Sequence, residues 1–483
     1  MHMLLDGNWV DRPEKIEVLD PQDGSLVDTV PLASEEDMEA AIAAAEVGFE
    51  RAREMPAHER MRVLLEAAET MAREHEVFAR TIAREGIKTI REARKEVTRC
   101  IETMRISAEE ARRLSGETIP FDQMPGSENR VGYYRRDPIG IIGAITPFND
   151  PLNLVAHKVG PALAAGNAII VKPDSKTPLS ALKLARAIHD AGLPPGVLQV
   201  ITGHGSQVGN MLVVDPRIRM ISFTGGLDTG LKIMSQVGLK KVGMELASNS
   251  PVIVMPDADL EKAVEANVSG AFWAAGQNCL HVQRLLVHDD VYDAFCQAFI
   301  EKTEAYRVGD KLDEQTDMGP LINESAATRV EKLVNRALDD GAELLTGGER
   351  SGSFIAPTVL ANLPDDTPLA QEEIYGPVTI LYRFRELDEA IQRANDVEYG
   401  LQAGIFTNDL NTAFHVADRL DCGGVMINDS TDYRIDAMPF GGVKGSGLGR
   451  EGIRFALQEM TEPKLICFNL STADGGRQTA LDT

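Results

Sequence analysis

Between Pro138 and Pro256 lie five short apolar runs: Ile139–Thr146 (IGIIGAIT), Ala168–Lys172 (AIIVK), Leu198–Ile201 (LQVI), Met220–Phe223 (MISF) and Val252–Val254 (VIV). Each has strand length, and the segments between them keep a helical period. Repeated βαβ units of this kind predict a largely parallel sheet covered by helices. A second series follows, with a helical pattern over Asp259–Trp273, a strand RLLVH over Arg284–His288 and another helix from Val291. Two α/β domains in series are therefore predicted. The length of 483 residues agrees, because single cores stop growing at roughly 250 to 300 residues.

Towards the amino terminus, SEEDMEAAIAAAEVGFERARE starts at Ser34 as an N-cap with Asp37 three residues on. Met38, Ile42, Ala45 and Phe49 then form one helical stripe, and the first hundred residues read as mainly helical. Two strand-like segments, ENRVGYYRRDP (Glu128–Pro138) and PKLICFNL (Pro463–Leu470), fall outside both series. They suggest a small pairing element used between subunits. A polar tail, Ser471–Thr483, closes the chain and reads as loosely held.

Composition narrows the function. With 49 basic and 74 acidic residues the formal charge is −25, which opposes binding to phosphate backbones or anionic membranes. Nucleic-acid and membrane partners are not expected. The start of the chain has neither a basic segment nor an apolar core of signal-peptide length, so a cytoplasmic location is expected. Five scattered cysteines without a CxxC pair indicate free thiols, neither a disulfide framework nor a metal site.

Five motifs carry chemistry. In AFWAAGQNCLHVQR, Cys279 follows a Gly-Gln turn at the end of a helical stretch, which alone fits a packed thiol as well as a nucleophile. In MELASNSPVIV, Glu245 sits between two apolar strands, where sheet-borne ligand sites form. In ITPFNDPLNL a strand ends at Thr146 and a helix begins near Pro151, so Asn149 lies beside a helix amino terminus and can face an anion. IIVKPDSKTPLS ends a strand in Lys172. SFTGGLDTG runs from a strand through a glycine turn into a helix, without the GxGxxG spacing.

Together with EEIYGPV from Glu372 and PFGGVKGSGLGREG from Pro439, these motifs resemble the aldehyde dehydrogenase superfamily, in its order and spacing from about Leu5 to Asn469. The resemblance implies a Rossmann-like cofactor domain (1–117 and 138–244), an α/β catalytic domain (245–448) and a small β oligomerisation element with the tail (118–137 and 449–483). It implies Cys279 as nucleophile, Glu245 as the base for the deacylating water, and Asn149 with the Cys279 backbone N–H as oxyanion donors. It further places Thr146, Pro147, Lys172, Ser175, Lys176, Gly225, Gly230 and Glu373 against NAD or NADP, and implies a homodimer or homotetramer. The chemistry needs such residues. A thiol of pKa about 8.5 requires local help to ionise, the oxyanion needs donors, and the thioester needs a base to activate water.

The departures are informative. Where NAD-preferring members of the family usually carry a ribose-gripping glutamate, this chain has Ser175, followed by Lys176. A hydroxyl and an ammonium can meet a 2′-phosphate, so NADP is expected to be accepted or preferred. Positions that carry aromatics in relatives acting on hydrophobic aldehydes are Asp150, His157 and Arg434, while Phe440 stays aromatic. With Arg105 they suggest a pocket for a short aldehyde bearing a hydroxyl, carboxylate, phosphonate or sulfonate. ELASNSPVIV, QNCLHVQR and VMINDSTDYRIDAMPFGG resemble the lactaldehyde, phosphonoacetaldehyde and succinate-semialdehyde branch. His157 as a satisfied core residue and Arg434 paired with Asp432 or Asp436 are the alternatives at those positions. An acylating, coenzyme A-dependent enzyme, a silent structural relative and a cysteine hydrolase are the competing functions.

Overall fold

The computed structural model describes residues 1–470; the tail assigned to 471–483 lies outside them. An eight-stranded sheet runs in the order Asn8–Val10, Met3–Leu5, Leu198–Val200, Ala168–Lys172, Ile141–Ile145, Ile218–Thr224, Lys241–Glu245, Gly447–Leu448. Its five central strands are parallel. Alternate side chains serve two cores: Ile142, Ile169 and Val171 face one helical layer, Ile141, Ile170 and Ile221 the other. That double burial is why these strands read as continuous apolar runs.

The helices around this sheet are α1 (Glu35–Glu54), α2 (Ala57–Arg73), α3 (His75–Glu85), α4 (Ile90–Ala111), α5 (Asn153–Ala165) and α6 (Pro178–Asp190). The start of α1 bears the capping box that Ser34 announces: its Oγ accepts from Asp37 N at 3.2 Å while Asp37 Oδ2 accepts from Ser34 N at 3.0 Å. Met38, Ile42 and Ala45 are buried, as the stripe requires.

A second sheet of seven strands, Glu343–Thr346, Thr358–Ala361, Val378–Phe384, Val282–His288, Ser250–Val254, Gln402–Phe406 and Gly424–Ile427, has its own core. A third pairs Thr461–Asn469 antiparallel with Arg130–Pro138 and adds Glu117–Ile119. It exposes Val131, Tyr133, Leu465 and Phe468. Among the described residues no helix is long and apolar enough to cross a membrane.

The first hundred residues are mainly helical, as expected, but the first thirty-one form strands (Met3–Leu5, Asn8–Val10, Lys15–Leu19, Leu26–Pro31). Asp6-Gly7 was the available signal: both residues have positive φ, 48° and 72°, and close a two-residue hairpin with Leu5 opposite Asn8. The helix Ile453–Glu459 packs on α4 and α5, and Leu457 and Met460 enter their core. That helix therefore belongs with the first body and not with the pairing strands of 449–483.

The approach of α1 to the loop before Leu198 is close enough that a Cβ on Gly48 would lie 2.0 Å from Gly196 O. Gly48→Ala is expected to destabilise the protein by about 2 kcal/mol or more, read as a lower urea midpoint with unchanged slope.

Candidate active site

The chain passes from Ile141–Ile145 outward to Ala168–Lys172 and Leu198–Val200, then returns to Ile218–Thr224 on the other side of the first strand. That reversal opens a crevice at the carboxyl ends of Ile141–Ile145 and Ile218–Thr224, the usual ligand site of such sheets. Thr146 and Pro147 follow one strand and Gly225 the other. Glu245 ends the next strand, and its carbonyl accepts from Gly225 N at 3.0 Å.

Asn149 lies just before α5, 7% exposed, and its Oδ1 has no partner among the described residues. The α5 amino terminus itself is not open to an external anion. Glu96 Oε1 on α4 accepts from Leu152 N at 2.8 Å and Asn153 N at 3.0 Å.

Cys279 sits in a turn closed by His281 N to Asn278 O at 3.2 Å, with Leu280 N donating to Asn278 Oδ1 at 2.9 Å. The preceding residues Ala274, Ala275 and Gly276 all have positive φ. Any Cβ on Gly276 would fall 2.1 Å from Gly376 O, so glycine is required there. Gln277 fastens the turn, accepting from Ile322 N at 2.9 Å and donating to Ala274 O and Pro320 O. Glu92 Oε1 on α4 accepts from Ala274 N at 2.9 Å.

Cys279 and Asn149 both line a cavity of about 220 Å³. Asp150 and Arg434 line it too, as the sequence suggested, and so do Lys88, Lys95, Glu96, Arg99, Trp273 and Asp432, which it did not. Arg105 is elsewhere: it lies on the far flank of α4, 43% exposed and paired with Glu102 at 2.7 Å. The cations that α4 offers are Lys95 and Arg99. Six residues at roughly 100° each put Arg99 and Arg105 about 120° apart. Glu92, Lys95, Glu96 and Arg99 at three- and four-residue spacing were the signal for the right face.

His157 is buried behind the wall, not in it. Its Nε2 shares a 2.8 Å hydrogen bond with Asp436 Oδ1, which also accepts from Arg99 Nη2 at 2.8 Å and Asn153 Nδ2 at 3.1 Å. Burial and the Arg434 charge push its pKa down, which keeps the ring neutral. Asp150 pairs with Lys88 and, at 3.6 Å, with Arg99. Arg434 pairs with Glu451 at 3.0 Å, instead of Asp432 or Asp436, and lies 3.7 Å over the Phe440 ring. Phe440 packs with Leu280 and Cys279 and supports the turn from behind.

Burial pushes the Cys279 thiol up to about 12; Arg434 opposes this, while Glu245, Glu373 and Glu451 reinforce it. Burial and the neighbouring Glu451 raise Glu245 well above the usual carboxylate range, with Arg434, Lys158 and Arg450 opposing. Glu451 is desolvated too, but Lys158 at 3.1 Å and Arg434 hold it down at about 2. Glu245 Oε2 has no partner among the described residues. Gly441, φ 152°, leaves it room: a Cβ there would come within 2.9 Å of Glu245 Oε1. His281 is driven down to about 3 by burial, so it offers no base to a cysteine hydrolase.

The crevice fits a dinucleotide. Thr146 Oγ1 and Thr224 Oγ1 are buried without partners among the described residues. Lys172 is 5% exposed at its strand end, with its pKa lowered chiefly by burial. Exposed Lys176 lies 5.7 Å over the Phe148 ring next to Ser175. A Cβ on Gly226 would meet nothing, whereas on Gly230 it would strike Leu246 at 2.5 Å, the contact that seats the helix Leu227–Met234. Glu373 accepts from Ser248 N at 2.9 Å, and burial raises it to about 7.

The crevice, thiol turn and second sheet together define the class, and the sequence agrees: residues 9–466 match the aldehyde dehydrogenase family, to which the chain belongs. It is an oxidoreductase of that family. The chain is 50% identical to aspartate-semialdehyde dehydrogenase 1 of Pseudomonas canavaninivorans, over 94% of this chain and 97% of that protein. It is 45% identical to 3-sulfolactaldehyde dehydrogenase of Priestia aryabhattai, over 97% and 98%. Among solved structures, a glyceraldehyde-3-phosphate dehydrogenase from Methanocaldococcus jannaschii complexed with NADP superposes with a TM-score of 0.92 at 42% identity, covering 95% of this chain and 100% of that one.

With the thiol protonated at neutral pH, alkylation of Cys279 in the free enzyme is expected to accelerate roughly tenfold per pH unit from pH 7 to 9. Arg434→Ala removes the opposing cation and should slow it further at every pH. A pH-independent rate would show that the thiol is already ionised.

Proposed function

We propose that the protein oxidises a short anionic aldehyde to its carboxylate through an acyl bond to Cys279, with NADP or NAD as the second substrate. The observation that carries this reading is the placement of Cys279 and Asn149 in one small cavity walled by Lys88, Lys95, Arg99 and Arg434. In a chain of charge −25 such cations mark a local preference for anions. The three relatives named above act, by their names, on aldehydes that carry a carboxylate, sulfonate or phosphate.

Cys279 gives up its thiol proton to solvent and attacks the aldehyde carbon, while Glu245, whose basicity burial raises, is kept for the later hydrolysis. Asn149 Nδ2 and the Cys279 backbone N–H stabilise the oxyanion, each donor contributing on the order of 10² to 10³ in rate. A dinucleotide held by Lys172, Glu373, Thr146 and the Gly225 turn, with Ser175 and Lys176 at a 2′-phosphate, supplies the hydride acceptor. Glu245 then deprotonates the water that releases the carboxylate. Water as acceptor distinguishes this reading from transfer to coenzyme A. The exposed Val131, Tyr133, Leu465 and Phe468 fit a sheet that pairs copies of the chain.

Cys279→Ser is expected to abolish turnover. Glu245→Gln is expected to cut steady-state turnover by at least ~10² while the acyl adduct on Cys279 accumulates, visible by mass spectrometry. Coenzyme A rescuing full turnover in Glu245→Gln would favour the acylating reading. For the cofactor, Ser175→Glu with Lys176→Ala should lower kcat/KM for NADP by roughly tenfold or more relative to NAD. An unchanged ratio would remove these two residues from the cofactor site.

A further inference from the structure

The cavity beside Cys279 holds more charge than the proposed chemistry uses. Three carboxylates line it, Glu96, Asp150 and Asp432, with four cations, Lys88, Lys95, Arg99 and Arg434. Five of these seven are matched inside the protein. Lys88 pairs with Glu96 at 2.8 Å and with Asp150, Arg99 with Asp150 at 3.6 Å and Asp436 at 2.8 Å, and Arg434 with Glu451 at 3.0 Å.

Two are unmatched among the described residues. Asp432 accepts hydrogen bonds from the Ser430 hydroxyl and, at 3.5 Å, from the Ser269 hydroxyl, but no cation pairs with it. Burial raises its pKa, which the Ser430 hydroxyl only partly offsets. Lys95 is exposed at the cavity with no carboxylate partner, its Nζ 5.0 Å over the Trp273 ring. Both line the same cavity as Cys279. Asp432 reaches Ser269 in the last turn of the helix Leu260–Phe272, and Lys95 lies over Trp273, the residue that follows that helix.

A half-buried carboxylate without a cation is a favourable seat for a ligand ammonium. An ammonium and a carboxylate on one carbon offer one group to each of these two side chains of the same small cavity, through hydrogen bonds of about 2.9 Å. We propose that the substrate is zwitterionic: a short semialdehyde of an amino acid, with its ammonium on Asp432, its carboxylate on Lys95, and its aldehyde carbon extended to Cys279. This rests on the anionic-aldehyde reading above and narrows it. Arg99 and Arg434, already paired, shape the rest of the wall, and the neighbouring Glu96 and Asp150 repel a second anionic group.

The test compares kcat/KM for 4-oxobutanoate, its 2-hydroxy and 2-amino derivatives, and uncharged propanal, in the wild type, Asp432→Asn and Lys95→Met. Wild type should prefer the amino compound to the other two acids by roughly tenfold or more. Asp432→Asn should reduce that preference to about two- to threefold, and Lys95→Met should lower all three acids relative to propanal. Melting temperatures within a few degrees establish that the variants fold, and the wild-type ranking decides the matter independently of them. Equal use of the three acids, a preference for the hydroxy compound, or an amino preference that survives Asp432→Asn overturns the proposal while leaving the anionic reading intact. Acids used no better than propanal overturn both.

Discussion

Glu92 and Glu96, two buried carboxylates one turn apart on α4, hold the segments of Cys279 and Asn149 in register. One accepts from the backbone N–H of Ala274, at the start of the thiol turn; the other accepts from Leu152 and Asn153, just past Asn149. The Cys279 and Asn149 segments thus hang from a single rigid helix, although they belong to different sheets. Lys88 supplies the countercharge to Glu96 at 2.8 Å. Removing either carboxylate would leave buried amide donors unpaired, a penalty of about 1 to 3 kcal/mol per group, and would free the two segments to drift. Drift matters because a displacement on the order of 1 Å can cost 10²-fold in rate.

The same helix gives the cavity its charge. Its face towards the site carries Lys95 and Arg99, while Asp150 and Asp436 across from it fix Arg99 and, through Asp436, engage His157. The sequence marked His157 for contact with the substrate. In the fold it is a supporting group, linked through Asp436 by two hydrogen bonds to the arginine that faces the cavity. Deeper in, environment separates two neighbouring carboxylates. Glu451 keeps two cations for itself and stays ionised; Glu245 is left with an oxygen unpartnered among the described residues and a raised pKa. Divergent pKa values in adjacent acids are how one site assigns a structural anion and a base.

Local sequence determined a great deal. Apolar runs of strand length separated by helical periods specified a double-faced parallel sheet, Ser34 and Asp37 specified the start of α1, and motif order specified the family. These features are legible because each depends on neighbours a few residues away. Asp6-Gly7 belonged to the same class of signal and marked a hairpin.

What only the tertiary structure decided was pairing at long range. Arg99 meets Asp436 across 337 residues, and Glu92 meets Ala274 across 182. No periodicity encodes which of several arginines on a helix faces a cavity formed by distant loops. Nor does local sequence say that a helix amino terminus suited to an external anion is already filled by Glu96. Charges choose partners by distance and desolvation in the folded chain, so Cys279, Glu245 and Asn149 could be picked out as candidates from the sequence, and the matched and unmatched charges around them were set by the fold.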